Sequence, residues 1–243
     1  MIDFLVDLLR WLGDNWSGDT GWVVRTWEHL QVSGAAVLAA MVVAIPLAAW
    51  LGHTGRGGLV TASVVNVGRA LPSFGILAIS VPFTIWLARS TPLIDSGLGF
   101  APTFIALFLL ALPPIFTNTY AGIRGVDHDV VEAARGMGLT ERRLILEVEM
   151  PIASPVILTG IRVTAVQVVA TATLGALVAY GGLGRFIIDG IATRDHVELV
   201  GGAVLVALLS ILTEVAFSAV ELVAVPAGIR RRSRGEVSMS RPA

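Results

Sequence analysis

Residues 96 to 123 contain no charged side chain. Roughly 20 consecutive, mostly apolar residues let a helix cross a bilayer, and a neutral run of this length reads as such a crossing. The rest of the chain agrees: 55% of its 243 residues are hydrophobic and 14% are charged, against about 25% charged in soluble domains. The expected fold class is an all-α polytopic membrane protein.

Charge and residue usage then narrow the functions. A net charge of −1 leaves no footprint for nucleic acid. The absence of cysteine excludes a disulfide framework and thiolate-held metals. His29, His53, His128 and His196 lie far apart with no metal-ligand spacing, so no metal and no other cofactor is expected. All 17 basic residues are arginine, and a Walker A loop requires lysine. Any ATP hydrolysis therefore belongs on another polypeptide, and the chain is expected not to be an enzyme. Its start, "MIDFLVDLLRWLGDNW", lacks the basic region and cleavage site of a signal peptide and is expected to be retained.

Trp11, Trp16, Trp22 and Trp27 stand among acids and arginines in the first 27 residues, a composition suited to the headgroup region. Residues 1–33 are thus expected to form an N-terminal interfacial segment with a helix lying along the bilayer. A first span is expected over 34–52. Residues 57–90 follow, interrupted at Pro72, and Arg69 favours a half-inserted helix leading into a span from about 70 to 90. The third span covers 101–123, where "LPPIF" should kink or break the helix. The fourth and fifth cover 152–180 and 199–224. The terminal "IRRRSRGEVSMSRPA" carries clustered arginines beside the last span, which marks the cytoplasmic side. Counting back through five crossings puts the 124–150 loop inside as well.

Between the third and fourth spans stands the polar stretch "EAARGMGLTERRLILEVEMP", residues 132–151. Asp127 is suited to cap a helix here, and Asp129 and Glu132 lie near the positive end of its dipole. Val126, Val130, Val131, Ala134 and Met137 fall largely on one side. Ala133, Ala134 and Gly136 keep the helix slim, and Gly138 can end it with a left-handed residue.

Glu132-Ala133-Ala134, three residues, Gly138, nine residues and then Val148-Glu149-Met150-Pro151 resembles the EAA signature of binding-protein-dependent ABC importer permeases. Valine and methionine stand where the signature usually has isoleucine and leucine. "NVGRALPSFGIL" at 66–77, "LPPIFTNTYAGIRGVD" at 112–127 and "YGGLGRFI" at 180–187 resemble the members that import osmoprotectants such as glycine betaine, carnitine, choline or proline betaine. Methionine-type permeases share the five-span plan and the GGLG element, so a permease for methionine or another amino acid is the alternative.

The resemblance implies a type I ABC importer transmembrane domain (MetI-like) over 34–226, with a coupling loop at 124–151 and a basic cytoplasmic tail at 227–243. About five spans are joined by an N-terminal interfacial helix and a cytoplasmic coupling helix. It implies that Glu132, Ala133, Ala134, Gly138 and Pro151 couple the chain to a separate ABC ATPase subunit dimer. It implies, too, a second permease copy or related permease, an extracytoplasmic substrate-binding protein, and residence among the lipids of a bacterial inner membrane. Gly181, Gly182 and Gly184, three glycines within five residues, are assigned to a turn shaping the outer gate of the pathway. Quaternary ammonium solutes are held by aromatic faces, but Trp50, Phe74, Phe83, Trp86, Phe104, Phe108, Phe116 and Tyr120 are scattered and read as lipid or packing contacts.

Two charges fall inside predicted spans. Arg162 and Glu214 each lie about 15 Å inward from the cytoplasmic end of a span at 1.5 Å per residue, and an intramembrane pair would neutralise both. An ion-driven secondary transporter would want mid-membrane carboxylates and repeated halves. Only Glu214 approaches that role, and no repeat is visible.

Overall fold

In the computed structural model, residues 2–56, 58, 61, 63, 68, 72–91 and 96–224 are described. The expected half-inserted segment with Arg69 lies mostly outside them, and the arginine tail wholly so. The order is α1 (Ile2–Asp14), α2 (Trp22–Thr54), α3 (Ser73–Ser90), α4 (Phe100–Arg124) and α5 (His128–Gly136). A helical turn (Glu141–Arg143) and a π-helical segment (Leu144–Glu149) then lead into α6 (Met150–Thr171). A 3₁₀ stretch (Ala172–Val178), α7 (Gly184–Thr193) and α8 (His196–Ala224) complete the order. Among the described residues, α2, α3, α4, the run Glu141–Val178 and α8 are long and apolar enough to cross a membrane, at the five places expected.

Lipid tails are as apolar as leucine, so helices associate in a bilayer by close packing and polar contacts. α2 shows how the sequence meets that demand: Ala36, Ala40, Ala44 and Ala48 recur every fourth residue and are buried with Val32 and Val37. Against this narrow stripe lie Leu107, Ala111, Ile115 and Phe116 of α4. Ala49, Ile123, Ile145, Ala153, Ile157 and Ile161 form a second cluster at the α5 end of the bundle. At the opposite end Val169, Leu183, Phe186, Val206 and Leu209 pack with Trp11 and Trp22.

α2 begins at Trp22, twelve residues before the expected first span. Arg25, Glu28 and His29 lower the hydropathy there, yet each has a partner. His29, 1% exposed, donates from Nε2 to the Val169 carbonyl at 2.7 Å. Ser33 donates to the His29 carbonyl at 2.6 Å. Of the four N-terminal tryptophans, Trp22 and Trp27 thus belong to α2, and Trp22 Nε1 donates to the Leu12 carbonyl at 2.9 Å. α1 has 13 residues, about 20 Å of helix, which is shorter than the ~30 Å hydrocarbon core.

The proline pair in "LPPIF" does not break α4, which runs on to Arg124 with Pro113 and Pro114 inside it. The missing N–H groups are those that would reach the carbonyls of residues 109 and 110. On the other side of the pair, Thr117 donates to the Pro113 carbonyl at 2.7 Å and Asn118 to the Pro114 carbonyl at 2.8 Å.

Candidate docking helix and pathway loop

The polar stretch folds into α5. The Asp127 carboxylate accepts the Asp129 N–H at 3.0 Å, satisfying one of the donors that a helix start leaves open. At the other end Gly138 has φ +89°. Its N–H reaches the Arg135 carbonyl at 2.9 Å, and the Leu139 N–H reaches the Ala134 carbonyl at 3.3 Å. That pair of bonds is the Schellman stop, so the helix has two fixed ends.

The expected apolar face is only partly buried. Val131 and Ala134 are buried, whereas Val130 and Met137 are exposed, Met137 at 76%. The Glu132-Ala133-Ala134 triplet is therefore divided: Ala134 packs within the chain, while Glu132 and Ala133 face outward. Exposed Glu132 lies 3.5 Å from His128 Nδ1. Pro151 is exposed near the start of α6. It has no N–H to give, and the wider π-helical turn ends just before it.

A chain of polar contacts that sequence reading missed ties α5 to the first span. Arg135 donates from Nε and Nη2 to the two Glu141 oxygens, each at 3.0 Å. Those bonds, and the attraction behind them, hold the Arg135 guanidinium more firmly in its charged form. Glu141 Oε2 lies 2.7 Å from His53 Nε2, and His53 Nδ1 lies 2.8 Å from Glu149 Oε2. His53 and Glu149 are nearly enclosed, with 6% and 5% of their side chains exposed. Glu149 stands between Val148 and Met150 at the end of the signature-like stretch.

At the far end, the loop after the 3₁₀ stretch is latched to the first turns of α2. Gly182, at φ +78°, donates its N–H to Glu28 Oε2 at 2.8 Å. The same oxygen accepts Arg25 Nη1 at 2.9 Å. The Tyr180 hydroxyl donates to the Glu28 carbonyl at 2.6 Å. A Cβ on Gly181 would overlap the Glu28 carboxylate, and one on Gly184 the Thr173 backbone. The three glycines thus let the loop lie directly against its neighbours.

The structure places Arg162 between two carboxylates. Its Nε is 3.5 Å from Glu214 Oε1, and its Nη1 is 3.3 Å from Glu221 Oε2 and 3.1 Å from the Ser218 hydroxyl. Glu221 was not singled out from sequence. The signal was its spacing, since positions 214, 218 and 221 share one helix face.

The family described as binding-protein-dependent transport system inner membrane component matches residues 36–224. The carnitine transport permease protein OpuCB of Listeria monocytogenes is 38% identical over 213 residues, 88% of this chain and 92% of that protein. The choline transport system permease protein OpuBB of Bacillus subtilis (strain 168) is 35% identical over 207 residues, 85% of this chain and 90% of that one. The osmoprotectant import permease protein OsmY of Salmonella typhimurium is 33% identical over 189 residues, 77% and 75% of the two chains. Among solved structures, an inward-facing MetNI methionine ABC transporter chain superposes with a TM-score of 0.73 over 84% of this chain and 97% of its own. At 22% identity that likeness is one of fold.

Proposed function

Because the chain belongs to the family of binding-protein-dependent transport system inner membrane components, we propose that it is the permease subunit of an ATP-driven importer for an osmoprotectant of the betaine, choline or carnitine kind. The substrate class rests on the names of relatives at 33–38% identity. The observation that carries the mechanism is α5, a helix capped at both ends that presents Glu132 and Ala133 outward.

In this reading α5 is the coupling helix. Glu132 meets a basic residue of the ATPase subunit, Ala133 permits close approach, Ala134 seats the helix on its own chain, and Gly138 fixes where it stops. Pro151 marks the entry to the fourth span. The Arg135–Glu141–His53–Glu149 chain transmits displacement of α5 to the end of α2. Gly181, Gly182 and Gly184 shape the outer gate, held by Glu28, where a binding protein delivers solute. A second permease, identical or related, completes the pathway. α1 lies along the membrane surface, and α5 and the arginine tail face the cytoplasm of a bacterial cell. Resistance of Asp129→Cys to an impermeant thiol reagent in intact cells is the expected orientation result; labelling reverses the topology.

Docking is tested with Ala133→Trp, which puts a large ring on an exposed face and leaves the spans untouched. The ATPase subunit should co-purify with the native chain and be lost from the variant. Undiminished co-purification removes α5 from the interface.

A further inference from the structure

Three arginines flank the end of the docking segment, and one has no partner among the described residues. Arg135 is held by Glu141, and Arg143 by Glu147 at 2.8 and 3.0 Å. Arg142 makes no ion pair or hydrogen bond among the described residues. It borders a groove of about 330 Å³ between α2 and the π-helical segment. Ile45, Pro46, Ala49 and Trp50 form one wall, and Ile145 and Leu146 line the other.

The groove's position along α2 separates a polar end from an apolar one. Trp50 lies four residues before the end of α2, about 6 Å, at the level where tryptophan rings collect at membrane interfaces. Ile45 is about 7.5 Å deeper. A cation at the mouth with no carboxylate partner among the described residues, and apolar walls running inward, fit an amphiphile whose head is anionic. The guanidinium fork matches phosphate oxygens, and basic pockets between membrane helices favour anionic headgroups. A lipid with no net charge leaves the Arg142 cation uncompensated.

We propose that this groove binds an anionic phospholipid of the leaflet at the α5 end, with phosphate on Arg142 and an acyl chain along Ile45, Ala49 and Leu146. This site is independent of the transport reading. It adjoins the chain of polar contacts, since the rings of Trp50 and His53 are 6.4 Å apart.

The test uses the full chain in nanodiscs of phosphatidylcholine containing a minor fraction of brominated phosphatidylglycerol or of brominated phosphatidylcholine. Trp50 emission is isolated by difference against Trp50→Phe. The expected result is about fivefold enrichment of phosphatidylglycerol at Trp50, the preference one basic side chain commands at a charged surface. Arg142→Gln should abolish the preference, and Arg142→Lys should keep part of it. Arg142 is exposed, so neither change disturbs the fold. Equal quenching by the two lipids, or a preference that survives Arg142→Gln, overturns the site. Shielding of Trp50 from both lipids also overturns it and assigns the groove to a neighbouring protein surface.

Discussion

His53, in the last turn of α2, and Glu149, two residues before Pro151, meet at 2.8 Å across 96 residues of sequence. With Glu141 on the other ring nitrogen, the imidazole bridges the end of α2 and the segment that joins α5 to α6. In His53→Gln the amide has one donating end for two carboxylates, and a hydrogen bond to a charged group is worth about 1.5–3 kcal/mol. The variant should insert and still bind the ATPase, but use more ATP per solute imported. An unchanged ratio of ATP to solute removes the bridge from coupling.

Gly138 tests the stop of α5 and the coupling role proposed for it. At φ +89° an added Cβ meets nothing within 4 Å, so the cost of replacement is conformational. A left-handed backbone costs most residues roughly 1–2 kcal/mol, and asparagine less. Gly138→Val should lower solute-stimulated ATPase activity more than Gly138→Asn, with equal expression of both. Equal activities would place the stop outside the coupling step.

Helix α5 was legible from sequence because its signals are local: an acidic cap, a glycine stop and a fixed spacing of twenty residues. The five spans were legible because hydropathy integrates over long windows. The missed features are those in which distant residues satisfy one another. Glu28 and His29 look too polar for a membrane helix until the 169–182 region supplies their partners, and Arg25 until it pairs with Glu28. His53 and Glu149 are ordinary residues apart and a bridge together. Pro113 and Pro114 read as a kink or break, but α4 runs through them.

The outer loop should respond to Glu28 as strongly as to its glycines. Glu28→Ala removes the acceptor of the Gly182 N–H, and Gly182→Val places a branched residue at φ +78° with its Cβ 3.2 Å from His29 Nδ1. Both should reduce uptake or raise idle ATP hydrolysis, while the ATPase remains bound. Proteoliposome uptake and ATPase rates measured side by side check this.

Arg162 has two carboxylate partners, so a simple charge swap should rescue poorly. Arg162→Glu with Glu214→Arg leaves the new carboxylate beside Glu221, and like charges so close repel. Adding Glu221→Gln to the swap should restore more transport than the swap alone. Full rescue by the swap alone would make Glu221 a bystander.

Uptake by the reconstituted complex tests the transport reading most directly. The chain is placed in liposomes with its ATPase, ATP inside, and its binding protein and radiolabelled betaine, choline or carnitine outside. Accumulation of at least one of these solutes that requires both ATP and the binding protein is expected. Uptake driven by a sodium or proton gradient without ATP would contradict it.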